Sequence, residues 1–292
     1  MTSPFRHGTA ALRAAGLEAG VLVGHLLLYA SGLTQEQFPG LSASAAAPAL
    51  VTPPSPGPVG APDPSEPPSP VLLVHGLIDN RSVFAVLRRS LRRHGWTHVH
   101  ALNHCSLAPD LRTAAADLAL QVEAARRCYG GQRVALVGHS LGGLIARYYV
   151  QRLGGDEHVH TVITLGTPHS GTQSARLSLL PAVRQMRPGS PVLEELGGPA
   201  PGCRTRFVAI WSDMDEVIVP RESGALVHPD LEVRNVRMHG VGHLALPVHG
   251  GTLAQIRAAL STWDAPDRAP AAGTDAGPGT GTDAAADPRL TA

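Results

Sequence analysis

Val134-Ala135-Leu136-Val137-Gly138-His139-Ser140-Leu141-Gly142-Gly143 is the stretch on which the reading of this chain turns. The apolar, β-branched run over 133–137 predicts a buried strand. It runs into Gly138-His139-Ser140-Leu141-Gly142, a Gly-x-Ser-x-Gly pattern, and a helix is predicted over 141–153. Strand, tight turn and helix is the context in which that pattern forms a nucleophile elbow. The serine then sits in a strained backbone conformation. Gly138 and Gly142 are required because a Cβ at either would meet the neighbouring strand and helix. Ser140 Oγ is expected at the C-terminal edge of a parallel sheet, above a helix N-terminus whose N–H groups favour a developing negative charge. The pattern alone also fits a Gly-rich turn packed on a sheet. A base, an orienting acid and an oxyanion hole must therefore be sought elsewhere.

Around this stretch, strand-like and helix-like segments alternate. Val71–Val74 is a continuous apolar run of the kind buried parallel strands show. A second strand is expected around 97–102. A helix is expected over 109–127, with Leu111, Leu118, Val122 and Ala125 on one face and Pro109 at its start. Further strands are expected at 161–165, 206–211 and 231–237, and a last helix at about 249–262. The pattern predicts an α/β protein with three layers and about six mainly parallel strands. In such sheets ligands bind at the carboxyl ends of the strands, and every candidate below falls at such an end.

The acid is sought after strand 206–211, where Asp213, Asp215 and Glu216 share one loop. Asp215 is preferred, because the apolar run to Pro220 can fold back and hold it. Asp213 is the runner-up. The base is sought after strand 231–237, in His239-Gly240-Val241-Gly242-His243. The two glycines before His243 allow a sharp loop returning its imidazole toward Ser140, and the chain order Ser, Asp, His results. His239 is the competitor. For the oxyanion hole, Val74-His75-Gly76-Leu77 ends the first strand, and the backbone N–H groups of Leu77 and Leu141 are the expected donors. Gly76 lets the backbone approach the substrate. His75 and His139 sit beside the hole and inside the elbow, positions that suit structural hydrogen bonds rather than the role of base.

The chain of 292 residues has a formal net charge of +1, so nothing points to nucleic acid. No Cys-x-x-Cys spacing exists, and Cys105, Cys128 and Cys203 predict neither a metal nor a redox site. They read as small buried apolar residues, with one disulfide open to an exported protein.

Four regions are expected. Residues 1–35 form an N-terminal apolar helix, with Arg6 and Arg13 ahead of an apolar run from Ala19 to Ala30. About a dozen residues is short of the roughly 20 that a membrane span needs. A signal peptide cleaved near Ala43-Ser44-Ala45, an interfacial anchor and a helix packed on the domain all stay open. Glu18, at the front of the run, speaks against the signal. Residues 36–70 form a Pro/Ala-rich linker, with ten prolines between Pro48 and Pro70. Residues 71–264 are the folded domain, and 265–292 a disordered tail. These features favour a membrane-associated or secreted protein over a freely cytoplasmic one, with 19–30 as the segment for membrane contact.

Leu73-Val74-His75-Gly76, Gly138-His139-Ser140-Leu141-Gly142-Gly143, the run from Thr164 to Thr172, Asp215-Glu216-Val217-Ile218-Val219-Pro220 and His239–His243 together resemble the α/β-hydrolase superfamily. The resemblance is to small bacterial lipases and esterases and spans essentially all of 71–264. It implies a minimal α/β-hydrolase fold and Ser140, Asp215 and His243 as a catalytic triad. It also implies the amides of Leu77 and Leu141 as oxyanion hole, no cofactor, and an acyl ester or lipid as substrate. A short-chain carboxylesterase, an acyltransferase with the same triad and a non-catalytic binding protein are the alternatives. Residues 171–205 carry Leu177, Leu179, Leu180, Val183, Met186, Val192 and Leu193, which suit either a short lid lining an acyl pocket or ordinary packing helices.

Overall fold

The computed structural model describes residues 16, 18, 20–24, 27–34, 38, 69–77, 79–104 and 110–264. Six strands form one sheet: β1 (Val71–Val74), β2 (Val99–Leu102), β3 (Val134–His139), β4 (Val159–Leu165), β5 (Arg206–Ser212) and β6 (Glu232–Met238). Their order is β2-β1-β3-β4-β5-β6, and every neighbouring pair is parallel. The chain steps outward from β1 to β2, then crosses back to place β3 on the other side of β1. The order therefore reverses between β1 and β3, and in such sheets ligands bind at the carboxyl ends of the strands at that point.

Successive strand residues point to opposite faces, and both faces are covered. Leu72, Val74, Leu136, Val162 and Phe207 pack against α2 (Leu111–Cys128) and α3 (Leu141–Arg152). Val71, Leu73, Val137, Ile163 and Val208 pack against α1 (Ala85–Arg93) and α6 (Gly250–Asp264). Double burial is why β1, 134–137 of β3 and 207–210 of β5 read as unbroken apolar runs. The edge strand β6 is partly exposed and carries Glu232, Arg234 and Arg237, charges that discourage pairing with another chain.

The sequence reading had no helix over Ala85–Arg93, where Leu87 and Leu91 alone are fully buried among four arginines. α2 starts one residue beyond its cap Asp110, whose side chain accepts from Arg112 N at 2.9 Å. Pro109 lies outside the described residues.

Residues 171–205 divide between the two readings. Val183, Met186, Val192 and Leu193 enter the core from α4 (Pro181–Arg184), α5 (Pro191–Gly197) and the turn between them. These four are packing residues. Leu177 and Leu179, 92% and 88% exposed, are turned outward with Leu180.

Part of the N-terminal run packs on the domain. Residues 20–24 are helical, Val21 packs against the α1/α6 side, and Phe38 is buried beside His100. A 3₁₀ turn, Tyr29–Gly32, is held by Asn80 Nδ2 donating to Tyr29 O at 2.8 Å and Asn103 Nδ2 donating to Gly32 O at 2.7 Å. Among the described residues no helix is long and apolar enough to cross a membrane. Cys128 and Cys203 are free and half-buried against the core. Residues 1–15, the cleavage region, Cys105, nearly all of the 36–70 linker and the tail from 265 lie outside the described residues.

Candidate active site

Ser140 has φ 53° and ψ −120°, and among the described residues no other non-glycine residue has positive φ. Such a conformation costs about 1–3 kcal/mol and persists only where its surroundings enforce it. Here Ser140 N donates to Leu165 O at 2.9 Å. Ser140 O accepts from Gly143 N at 3.1 Å and from Thr167 Oγ1 at 2.9 Å.

The glycines around it are steric necessities. A Cβ on Gly138 would stand 2.6 Å from Gly143 Cα in α3, and one on Gly142 would overlap the carbonyl oxygens of Val74 and His75 in and after β1. Gly142→Ala must push α3 away from β1. Overpacking of this kind costs about 3 kcal/mol or more, which lowers Tm by roughly 6–12 °C in a domain of this size. Thermal unfolding checks this, and a Tm equal to that of the natural protein would contradict it.

Asp215 lies in the loop after β5 and His243 in the loop after β6. His243 Nδ1 donates to Asp215 Oδ2 at 2.7 Å. Asp215 Oδ1 accepts from Val217 N and Ile218 N, each at 2.9 Å. The run after Asp215 thus folds back through its amides, with Ile218 buried and Val217 and Val219 exposed. Asp215, His243 and Ser140 are 2%, 5% and 8% exposed, so all three work away from bulk water. With Nδ1 donating, Nε2 of His243 is the basic nitrogen. His139 bridges toward the serine: its Nε2 donates to His243 O at 3.2 Å, and the two rings lie 4.9 Å apart. Gly166, after β4, sits beneath the pair. A Cβ there would stand 3.0 Å from His243 Nδ1 and 3.1 Å from Asp215 Oδ2.

The less favoured candidates hold each other. Asp213 accepts from His239 Nδ1, from Gly240 N at 3.0 Å and from Arg237 at 3.3 Å, while His239 is largely exposed. Burial alone would raise the Asp213 carboxyl, but the Gly240 amide and His239 outweigh it and hold it below the usual carboxylate range. Glu216 is exposed.

On the other side of Ser140 stands the turn after β1. A Cβ on Gly76 would be 3.1 Å from Ser140 Cβ, so Gly76 brings the backbone close and Leu77 follows directly. Leu141 opens α3, where N–H groups have no partner within the helix. His75 Nδ1 donates to Gly76 O at 2.9 Å, and its Nε2 accepts from His104 N at 3.3 Å. The rings of His75 and His104 stack at 4.1 Å. Burial first, then the neighbouring His104, pushes His75 down to about 4, so it stays neutral and bonded to the turn. Among the described residues no group of three or more His, Cys, Asp or Glu side chains could hold a metal ion.

A family model described as the alpha/beta hydrolase fold matches residues 69–189, the segment from β1 through the elbow to the turn before α5. The chain has the α/β-hydrolase fold. Solved structures of similar fold agree. The mature form of Bacillus licheniformis lipase BlEst2 superposes with TM-score 0.58 at 20% identity, covering 70% of this chain and 96% of that one. Aspergillus fumigatus lipase B gives 0.57 at 18% identity, over 66% of this chain and 52% of that one. The product of lin2722 from Listeria innocua gives 0.52 at 17% identity, over 66% and 94%.

Four contributors to the site are not evident from the sequence pattern. Thr167 pins the elbow carbonyl, Gly166 clears space for the His–Asp bond, His104 supports His75, and Glu18 binds the loop after His243. For Gly166 and Thr167 a signal existed, since both lie at the end of a strand that neighbours the serine strand. Glu18 carried none, because it approaches from the far end of the chain.

Proposed function

We propose that this α/β-hydrolase cleaves carboxylic esters, with lipid esters as the substrate class, using Ser140 as nucleophile, His243 as base and Asp215 as its orienting acid. The observation that carries the reading is the buried 2.7 Å His243–Asp215 bond beside a serine held at positive φ. His243 Nε2 takes the Ser140 proton as Oγ attacks the ester carbonyl. The amides of Leu77 and Leu141 stabilise the oxyanion, each worth about 3 kcal/mol of barrier. The C–O bond breaks, His243 gives its proton to the departing alcohol, and an acyl-serine remains. A water deprotonated by His243 attacks that acyl group. Ser140 leaves with the returned proton, and the carboxylic acid departs. The chemistry balances with these residues and water.

Exposed apolar side chains joined to the loop of Asp215 support the reading of a long acyl chain. Thr172 Oγ1 donates to Val217 O and accepts from Val219 N, both at 2.9 Å, which ties the segment carrying exposed Leu177 to the loop of Asp215. Leu177 and Leu179 in or just after that segment, and Val217 and Val219 in that loop, are all exposed. The N-terminal segment likewise turns Leu22, Val23 and Leu27 outward, and we propose that this face rests on a lipid surface. Hydrolysis of p-nitrophenyl esters of increasing length, with the Ser140→Ala variant in parallel, tests the first proposal. Serine-dependent turnover is expected to be best at about eight or more carbons. Turnover confined to two to four carbons would make the protein a short-chain esterase. Sedimentation with anionic vesicles tests the second, and a Leu27→Glu variant that binds as well as the natural protein would overturn it.

A further inference from the structure

We propose that Glu18 is a positioning residue for His243, so that the N-terminal helix belongs to the catalytic unit. The inference rests on the reading of His243 as the base. Glu18 precedes the described helical run 20–24. Its two carboxylate oxygens grip consecutive amides: Leu244 N donates to Oε2 at 3.2 Å and Ala245 N to Oε1 at 2.8 Å. These are the two residues immediately after His243. Gly242, on the other side of the histidine, makes room for the same side chain, because a Cβ there would overlap the Glu18 carboxylate.

The amides concerned need a partner. From His243 the chain enters a tight turn in which Leu246 N donates to His243 O and His249 N to Ala245 O, before α6 begins. At the start of such a turn N–H groups have no acceptor within it. An anion there is favoured both as hydrogen-bond acceptor and by the aligned backbone dipoles. A capping residue usually comes from the preceding chain. Here the carboxylate comes from 226 and 227 positions away.

The loop is thus gripped from two directions. His139, next to Ser140, holds the His243 carbonyl, and Glu18 holds the amides that follow. Between those grips the imidazole is free only to rotate, and the Asp215 bond fixes that rotation. The helix bearing Glu18 is moored independently by the Asn80 and Asn103 bonds to the 3₁₀ turn, and by Arg81 Nε donating to Thr34 O at 2.6 Å. Glu18 therefore acts from a fixed base.

Hydrogen bonds to a charged acceptor are about twice as strong as neutral ones. Their loss lets the base wander, and a displacement of about 1 Å can cost on the order of 100-fold in rate. In the full-length chain, Glu18→Ala is expected to lower kcat 10- to 100-fold with KM within twofold of the natural value. Glu18→Gln, whose amide oxygen can still accept from Ala245 N while its NH₂ group must turn away from Leu244 N, is expected to recover part of the loss, with a kcat at least threefold above that of Glu18→Ala. Circular dichroism at the assay temperature must show both variants folded. A Glu18→Ala kcat within twofold of natural, or a loss that Glu18→Gln does not rescue, would overturn the proposal. Ser140→Ala measured alongside separates the two claims. If turnover survives that change, the reading of Ser140 and His243 fails before Glu18 is tested.

Discussion

Ser140→Ala is expected to lower kcat for ester hydrolysis by about 10⁶-fold, to the level left by the oxyanion hole and substrate binding alone. The protein should fold at least as well as the natural one. Ser140 Oγ is not what holds the elbow: the bonds there run from its backbone N to Leu165 O and from Thr167 and Gly143 to its carbonyl, and all of them survive the substitution. Alanine at φ 53° keeps the existing strain and adds no atom. The change therefore removes one oxygen from a site otherwise intact. A loss below about 100-fold, in a protein with an unchanged Tm, would place the chemistry elsewhere.

Asp215→Asn is expected to lower kcat by about 10⁴-fold with the geometry preserved. The reason lies in the two oxygens of the carboxylate. Oδ1 accepts from Val217 N and Ile218 N, so whatever replaces it must also be an acceptor. The new amide must put its carbonyl oxygen there and its NH₂ group where Oδ2 now meets His243 Nδ1. Two donors cannot face each other. His243 then carries its proton on Nε2, the nitrogen that should take the proton of Ser140, and it cannot act as base. KM should change little, since Asp215 is buried behind the histidine. Single-turnover kinetics on a p-nitrophenyl ester checks this, and a loss below tenfold would argue that His243 needs no orienting acid.

How much was legible in the sequence depends on how local each interaction is. The elbow was readable because its signature falls within six residues: Gly138 is demanded by the helix that follows, and Gly142, demanded by Val74 and His75 of a distant strand, still stands at a fixed spacing from Ser140. Strands β1, β3 and β5 were readable because a strand covered on both faces has no polar alternation to confuse the pattern. Asp215 was separable from Asp213 by the apolar run that follows it, and the folding back of Val217 and Ile218 gives that clue its physical content. Apolar residues over 177–193 could not be sorted, since buried Val192 and exposed Leu179 are both strongly apolar and differ in what packs against them. The arginine-rich α1 was hidden by having two fully buried side chains, Leu87 and Leu91. Glu18 was noted as a charge at the front of an apolar run. That its carboxylate meets the loop beyond His243 depends on the closed tertiary fold, and no local pattern records it.

The central claim is that Ser140 is the nucleophile, and covalent trapping tests it most directly. The folded protein is incubated with a fluorophosphonate and the adduct located by mass spectrometry of its peptides. The account predicts one adduct, on Ser140, absent from Ser140→Ala and formed much more slowly in Asp215→Asn. An adduct on another residue, or none on a folded protein that turns over esters, would contradict it.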